Sequence, residues 1–210
     1  MDICDLGTVA YQDALSFQTG MLDKKIGNKI PDSLILVEHE PVVTLGRIEE
    51  RDSITDRGFF DENNIPIVSS GRGGKVTYHG PGQLVLYPII DLRGRTRSVT
   101  FYIDFLERTV AKSLNRLGVP AGSLPGRRGV WVRGKKIAFI GISVKRWVTF
   151  HGVAVNINND IGPFSRIYPC GEKDIEVTSV KEYTGKVTEM SKAKEIFSGQ
   201  FEKDLGEEYD

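Results

Sequence analysis

The sequence predicts an α+β fold, in which a mixed β-sheet has helices packed beside it. Short strand-like segments are numerous, and they do not alternate strictly with helical segments as they would in a doubly wound sheet. Only three longer segments have apolar residues three and four positions apart, the spacing of an amphipathic helix. One domain accounts for a chain of 210 residues, so we predict a single domain over residues 1–210.

The three predicted helices follow from this apolar spacing and from the residues at their ends. The first covers residues 9–24, and Gly27 lies just beyond it. Ser98 is a suitable N-cap for the second, which covers residues 99–117, because a serine hydroxyl accepts a hydrogen bond from the first helical turn. The third covers residues 191–205. Each helix presents one apolar face with which to cover a sheet.

Strands are predicted where short apolar runs are bounded by glycine, proline or charged residues. The run from Ile137 to Ile140 lacks alternation, which favours burial on both faces. Residues 47–64, 121–128 and 158–168 are predicted as irregular, the first with a short helical turn. The predicted strands, in chain order, are Met1–Leu6, Ser33–Glu38, Val42–Leu45, Ile65–Val68, Lys75–Tyr78, Gln83–Asp91, Val130–Val132, Ile137–Val144 and Trp147–Asn156.

Composition excludes several classes of protein. Lysine plus arginine and aspartate plus glutamate number 28 each, which argues against broad electrostatic binding to nucleic acid. Two cysteines, Cys4 and Cys170, are too few for a disulfide framework and are typical of a reducing compartment. The N-terminus has no apolar core of a signal peptide, and no run approaches the roughly 18 apolar residues of a membrane span. We therefore predict a cytoplasmic protein with no nucleic-acid or membrane partner.

The stretch Gly71–Leu92, GRGGKVTYHGPGQLVLYPIIDL, combines two glycine clusters with a strongly apolar strand. Glycine allows positive φ and close approach of the backbone, so backbone amides here are suited to holding a small ligand. The alternative is a tight hairpin that carries a structural histidine. The residues by themselves leave both interpretations open.

Three histidines, His39, His79 and His151, lie beside glycine or proline at the ends of predicted strands. Together they could ligate a metal, but no pair has the i, i+4 spacing or the Cys/His clustering of a zinc site. We predict no metal and expect His79 and His151 to shape a pocket, with a structural role as the alternative.

Cys170 lies between Pro169 and Gly171, where a rigid turn would present its sulfur. A free thiol has a pKa of about 8.5, so a nucleophilic role needs a nearby cation or histidine. An inert turn cysteine is the alternative. The residue types alone do not decide between them.

Lys136 opens a predicted strand whose following residues are expected to be buried. Residue type and position favour a side chain that reaches solvent from the strand end, as we expect of Lys135. Alternatively, a partly buried Lys136 would serve as a base and an acid.

Several motifs follow one another along the chain: Glu38–Pro41, Thr44–Arg47, Arg72–Leu84, Gly129–Val132, Lys136–Ala138, Ile140–Gly141, His151–Asn156, Pro169–Gly171 and Val177–Ser179. Taken in this order, over residues 1–185, they resemble the motifs of the lipoyl(octanoyl)transferase family. The sequence departs from the family pattern at Gly126–Arg128, where members often carry a proline before Gly-Val-Trp, and at Glu172, where an apolar residue is common.

The resemblance implies the catalytic-domain fold of biotin and lipoate protein ligases and a cysteine/lysine dyad. At matching positions, Cys170 would accept the acyl group, and Lys136 would lower the pKa of the thiol and move its proton. The implied lining of the acyl and pantetheine tunnel is Arg72, Gly73, Gly74, Lys75, Val76, Thr77, Tyr78, His79, Phe139, Ile140, Gly141, Gly152, Val153 and Ala154.

The implied reaction moves an octanoyl group from octanoyl-acyl carrier protein to a lysine amine. The implied acceptors are the lipoyl domains of 2-oxoacid dehydrogenases and the glycine cleavage H protein. No cofactor is expected, because a thioester already drives amide formation, and the chain has no Walker-type GxxxxGK[ST] motif. Two alternatives remain: an ATP-dependent lipoate or biotin protein ligase, which would need no cysteine nucleophile, and a non-catalytic module that binds an acylated carrier.

Three finer expectations accompany this reaction. Backbone amides near Gly171 or in the glycine loop would donate to the thioester oxygen. An apolar slot for eight carbons is expected from Val76, Leu84, Ile137, Ala138, Phe139 and Val153. A basic rim that attracts acidic carrier proteins is expected from Arg47, Arg72, Lys75, Arg127, Arg128 and Lys145.

Overall fold

The structure, a computed structural model, describes residues 1–48, 53–95, 97–171 and 175–209, without the side chains of Cys170 and Tyr209. Within these ranges the strands form a large sheet of seven and a small sheet of three. The strands are β1 (Asp2–Val9), β2 (Ser33–His39), β3 (Val42–Leu45), β4 (Ile67–Ser69), β5 (Thr77–His79), β6 (Gln83–Ile89), β7 (Gly122–Leu124), β8 (Arg127–Val132), β9 (Lys135–Lys145) and β10 (Val148–Asn156).

The large sheet has the order β1-β2-β6-β10-β9-β8-β7, and the small sheet has the order β4-β3-β5. Pairing is antiparallel except for β1 with β2 and β3 with β4, so both sheets are mixed. The helices are α1 (Tyr11–Ile26), α2 (Arg57–Glu62), α3 (Val99–Arg116), α4 (Val180–Thr184) and α5 (Met190–Tyr209). Short 3₁₀ turns cover Gly162–Arg166 and Pro169–Gly171. The predicted α+β class is confirmed.

Alternation along the central strands divides the core between the two faces of the large sheet. On β6, Leu84 and Leu86 pack with α3 and α5, while Val85 and Tyr87 pack on the other face with α1. Every residue of β6 is buried, because both faces are covered. The small sheet has its own core, in which Phe139 of β9 also takes part. The central strands β6, β10 and β9 of the large sheet therefore form one wall of the space between the two sheets.

Most elements agree with the prediction, and the differences have physical reasons. Ser98 caps α3 as expected, accepting from the Phe101 N–H at 3.2 Å. Residues 121–128 are not a loop: β7 and the start of β8 form a hairpin there, which is too short to show a repeat in the sequence. The short helix α4 was not predicted, although Ser179 accepts from the Glu182 N–H as its N-cap. No helix within the described ranges is long and apolar enough to cross a membrane.

Candidate active site

A cavity lies between the large sheet and the loop that connects β4 to β5. It contains about 490 Å³ of empty space, including the part open to solvent. The lining residues are Tyr11, Arg72, Gly74, Lys75, Val76, Thr77, His79, Val85, Tyr87, Phe139, Ile140, Gly141, His151, Gly152, Val153 and Ala154. The walls combine apolar strand side chains with the backbone of a glycine loop.

The structure brings most of the predicted tunnel residues to this cavity, with two exceptions. Tyr78 points into the core of the small sheet, where its ring meets Phe164 edge-on at 5.7 Å. Gly73 is hydrogen-bonded to β9 instead, because its N–H donates to the Ile142 carbonyl at 2.9 Å. Neither residue lines the cavity.

Sequence reasoning placed three apolar residues in the slot that belong elsewhere. Leu84, Ile137 and Ala138 pack in the core beneath α3 and α5. It also missed lining positions on β6, namely Val85 and Tyr87. Alternation along a strand is the signal that could have found them, because neighbouring residues point to opposite faces.

Paired glycines open the floor of the cavity. Gly141 of β9 lies opposite Gly152 of β10. A Cβ added to Gly152 would be 2.0 Å from the Leu86 carbonyl oxygen, and one added to Gly141 would be 3.0 Å from the Gly73 oxygen. A side chain at Gly152 would therefore overlap the backbone of β6, whereas one at Gly141 would require only a small shift of the glycine loop.

Lys136 is buried, with 2% of its surface exposed, so the favoured expectation of a solvated side chain is wrong. Its Nζ lies 5.2 Å from the centroid of the Trp131 ring and 5.1 Å from that of Phe139. Lys135, one residue earlier on β9, points to the opposite face and pairs with Glu176 at 2.8 Å in solvent. The sequence did not reveal which of the two lysines pointed inward.

Backbone hydrogen bonds fix Lys136 against the segment that follows Cys170. The Lys136 N–H donates to the Glu176 carbonyl at 2.8 Å, and the Thr178 N–H donates to the Lys136 carbonyl at 3.0 Å. Asn156 supports this segment, because its Nδ2 donates to the Thr178 carbonyl at 3.0 Å. Gln83 in turn donates from Nε2 to Asn156 Oδ1 at 2.9 Å.

The backbone of Cys170 forms a 3₁₀ turn, but its side chain lies outside the described part of the chain, as does Glu172. Gly171 follows with φ of +73°, and a Cβ added there would be 2.4 Å from Lys75 Nζ. Because Lys75 lines the cavity, the turn that contains Gly171 lies beside the cavity. The expected closeness of the Cys170 sulfur to the Lys136 amine stays a prediction.

Two of the backbone donors expected for the thioester oxygen are already engaged. The Gly171 N–H donates to the Tyr168 carbonyl at 2.8 Å, within the turn itself. The Gly73 N–H is used on β9, as described above. The Lys75 ammonium is a positive group that lies beside the turn.

Arg72 is a buried part of the scaffold, which contradicts its expected place on a solvated basic rim. It is 8% exposed, and its Nη2 donates to the Thr44 carbonyl at 2.6 Å while Nε donates to Thr44 Oγ1 at 3.1 Å. These bonds fasten the glycine loop to β3.

Other members of the expected rim also lie elsewhere. Arg128 pairs with Asp104 of α3 at 2.5 Å, and Lys145 pairs with Asp23 of α1 at 3.2 Å. Neither lines the cavity, and nor do Arg47 and Arg127. Charge near the cavity is therefore concentrated on the glycine loop.

The three histidines are buried and neutral: His79 and His151 line the cavity, whereas His39 does not but hydrogen-bonds to Tyr87, which does. His39 Nδ1–H donates to the Val9 carbonyl at 3.4 Å, so Nε2 accepts from the Tyr87 hydroxyl at 2.7 Å. Burial lowers the pKa of His39 to about 4. His79 donates from Nδ1 to Gln83 Oε1 at 2.7 Å, and burial, followed by His39, holds its pKa well below the usual value.

His151 was expected at a strand end but lies within β10, with φ of +56°. Burial, then the charges of Arg72 and Arg47, lowers its pKa to about 4. Across the described ranges, no three His, Cys, Asp or Glu side chains come together as metal ligands.

Comparison with known proteins identifies a family whose sequences resemble this chain. Residues 10–202 match the family described as lipoyl protein ligase A/B catalytic domain. The octanoyltransferase of Geobacter sulfurreducens is 41% identical over 201 residues, which cover 96% of this chain and 83% of the relative. That of Pelobacter propionicus is 40% identical over 202 residues, which cover 96% and 94%.

Solved structures agree on the fold. A bi-partite lipoate protein ligase from Thermoplasma acidophilum has a TM-score of 0.74 at 17% identity, covering 98% of this chain and 83% of that one. Biotin protein ligase from Aquifex aeolicus has a TM-score of 0.59 at 13% identity, covering 99% and 69%. The predicted relation to the biotin and lipoate ligase fold is thus confirmed.

Proposed function

We propose that this chain, which belongs to the lipoyl protein ligase A/B catalytic domain family, transfers an octanoyl group to protein lysines during protein lipoylation. The family expected from the motifs is confirmed by relatives that are 40–41% identical and are named octanoyltransferases. The observation that carries the proposal is Lys136, a buried amine whose Nζ lies 5.1 Å from the ring centroid of Phe139, a residue that lines the cavity.

In the first step, the Cys170 sulfur attacks the thioester carbonyl of octanoyl-acyl carrier protein. Lys136 accepts the thiol proton and returns it to the departing pantetheine sulfur. One C–S bond forms as another breaks, so this step is nearly balanced in free energy. Covalent catalysis of this kind divides one transfer into two easier ones.

In the second step, a lysine amine of the acceptor protein attacks the thioester on Cys170. Lys136 takes the proton that the amine loses and passes it to the departing Cys170 sulfur, which restores the thiol and the neutral amine. The amide product is more stable than the thioester, so the reaction proceeds forward without ATP. We infer that the donor is octanoyl-acyl carrier protein and that the acceptors are lipoyl domains of 2-oxoacid dehydrogenases and the glycine cleavage H protein.

The cavity would hold the octanoyl chain. Val76 of the glycine loop and Phe139 and Val153 of the large sheet supply apolar walls. Each methylene that leaves water contributes about 0.8 kcal/mol, so a fitted slot favours one chain length. Lys75, beside the turn at Gly171, would stabilise negative charge on the thioester oxygen in the transition state. We assign the reaction to the cytoplasm.

An intact-mass experiment tests the proposal. The protein is incubated with octanoyl-acyl carrier protein and no ATP, and the adduct is mapped by peptide mass. We expect one octanoyl group on Cys170, which is lost in Cys170→Ser and retained in the matched control Cys4→Ser. Adding a lipoyl domain should then discharge the adduct. Absence of any adduct, with transfer only after ATP is added, would identify a ligase instead.

A further inference from the structure

Gln83 lies at the centre of a series of buried side-chain hydrogen bonds. Its Nε2 donates to Asn156 Oδ1 at 2.9 Å and to the Tyr78 carbonyl at 3.2 Å. Its Oε1 accepts from His79 Nδ1 at 2.7 Å. Gln83 and Asn156 are wholly buried. Because the amide nitrogen and the amide oxygen are both hydrogen-bonded, the Gln83 side chain is held in a single orientation.

The same series continues from His79 to the glycine loop. Burial, followed by His39, holds the pKa of His79 well below its usual value, so the ring is neutral and has one donor and one acceptor. Since Nδ1 donates to Gln83, Nε2 accepts, and its partner is the Thr44 hydroxyl at 3.4 Å. The Thr44 hydroxyl oxygen in turn accepts from Arg72 Nη2 at 2.9 Å. Every step of the series from Arg72 to Gln83 is therefore donated in the same direction.

At its other end, the series reaches the segment that holds Lys136. Asn156 Nδ2 donates to the Thr178 carbonyl at 3.0 Å, and the Thr178 N–H donates to the Lys136 carbonyl at 3.0 Å. The glycine loop, at the Arg72 end, also carries Lys75. The series therefore connects the two lysines to which the proposed reaction assigns charge stabilisation and proton transfer.

We propose that Gln83 is a positioning residue for octanoyl transfer, because it fixes the glycine loop relative to the strand that carries Lys136. The side chains that act with it, here called the Gln83 network, are those of Arg72, Thr44, His79 and Asn156. Successive hydrogen bonds in a buried network polarise one another, so the loss of one weakens the others. The inference rests on the proposed octanoyl transfer, in which Lys75 and Lys136 act on the same thiol.

The network predicts a loss of rate and not of affinity for the acyl chain. Gln83 does not line the cavity, so removal of its amide leaves the apolar walls in place. A displacement of about 1 Å between reacting groups can lower a rate about a hundredfold. Gln83→Met keeps the length of the side chain and removes the amide. For transfer from octanoyl-acyl carrier protein to a lipoyl domain, we expect kcat to fall about ten- to a hundredfold and KM to change less than about twofold.

A double-mutant cycle separates this role from simple destabilisation. Thr44→Val removes the hydroxyl that joins Arg72 to His79 and keeps the volume of the side chain. Because Thr44→Val and Gln83→Met break the same network, kcat of the double variant should be close to that of the slower single variant. Thr44→Ser keeps the hydroxyl, so its kcat should stay within about threefold of the wild type.

Thr149→Val is the matched control, because it removes a buried hydroxyl of β10 that lies outside the Gln83 network. The Thr149 hydroxyl accepts from the Ile90 N–H at 3.0 Å and donates to the Pro88 carbonyl at 2.8 Å. This variant should unfold at a lower urea concentration and retain the kcat of the wild type. Loss of buried hydrogen bonds would then be shown to lower kcat only within the network.

Three outcomes overturn the Gln83 network while octanoyl transfer stands. They are losses in kcat that multiply in the double variant, a loss in Gln83→Met that is confined to KM, and equal kcat values for Thr44→Val and Thr44→Ser. If Gln83→Met does not fold, the two Thr44 variants decide by themselves. Wild-type protein that transfers no octanoyl group would instead overturn the proposed function, and the role of Gln83 with it.

Discussion

Lys75 Nζ occupies the space where a side chain at Gly171 would begin, 2.4 Å from the position of an added Cβ. The glycine loop and the turn that carries Cys170 therefore meet through one ammonium group. The two residues are far apart in the chain, and neither motif by itself predicts the contact. Because Gly171 has φ of +73°, a side chain there is disfavoured for its backbone as well as for space.

Lys75→Met should lower kcat/KM for octanoyl transfer by about ten- to a hundredfold, because it removes a positive charge beside the turn that carries Cys170, the proposed nucleophile, and retains the apolar stem. Alkylation of Cys170 by iodoacetamide, measured in a Cys4→Ser background, should slow as well. Lys145→Met is the control, since Lys145 pairs with Asp23 outside the cavity. Equal alkylation rates for the two variants would contradict a role for Lys75 at the thiol.

Lys136→Met should abolish transfer, with a loss of at least about a thousandfold, because the variant has no group to carry the proton. The methionine keeps most of the apolar volume between Trp131 and Phe139, so this variant should be more stable than one that leaves a cavity there. Lys136→Ala should also lose activity but unfold more easily. Urea titrations beside activity assays separate the two effects.

Lys135→Met is the control for the two Lys136 variants, because the Lys135 side chain lies in solvent and pairs with Glu176. It should retain transfer and leave the urea midpoint nearly unchanged, because solvent screens an exposed ion pair. A similar loss of activity in Lys135→Met and Lys136→Met would show that the strand, and not the buried amine, is what matters.

Sequence periodicity was sufficient for the large elements and insufficient for side-chain partners. The stripe on α3 predicted a helix, and the apolar run Ile137–Ile140 on β9 predicted a strand buried on both faces, because burial imposes those patterns. Lys136 was misjudged because two adjacent lysines give no sign of which one faces inward. Arg72 was misjudged because its acceptor, Thr44, is 28 residues away in the sequence. The hydrogen bonds from the Arg72 guanidinium go to the carbonyl oxygen and the hydroxyl of Thr44, neither of which marks an arginine partner in a sequence.

The same limit applied to the cavity. Motif resemblance indicated most of the lining, since those residues are close together in sequence on the glycine loop, β9 and β10. Tyr11 and Tyr87 were missed because a tyrosine at a helix start or in a buried strand is ordinarily a core residue. Only the fold brings these tyrosines to the cavity.

Acidification should destabilise the protein between pH 6.5 and 4. The pKa of His39 and of His151 is about 4 in the folded chain, below the usual 6.5, so the unfolded chain binds protons in this window that the folded chain does not. Stability from these groups is therefore complete above pH 6.5 and lost as the pH falls toward 4. Each histidine accounts for roughly 3 kcal/mol of the free energy of unfolding over the whole window.

Urea denaturation at half-unit pH steps measures this effect, and His39→Gln should flatten the slope by nearly one proton, or about 1.4 kcal/mol per pH unit. The variant is expected to be less stable at pH 7, because Tyr87 loses its ring acceptor. An identical slope in wild type and variant would mean that His39 titrates normally when folded.

Gly152→Ala should be among the most damaging single-methyl additions in this chain. The added Cβ would be 2.0 Å from the Leu86 carbonyl oxygen, and since that atom belongs to β6, the strand itself must shift. We expect a loss of roughly 3 kcal/mol or more in the free energy of unfolding, together with a narrowed cavity floor and impaired transfer.

Gly20→Ala is the matched control: Gly20 lies in α1 with nothing within 4 Å of an added Cβ, and alanine there should stabilise the protein by about 0.5–1 kcal/mol. Thermal and urea denaturation of the two variants measures the loss of stability at Gly152 and the gain at Gly20. A Gly152→Ala variant that is stable and active would show that β6 and β10 are not packed as closely as described.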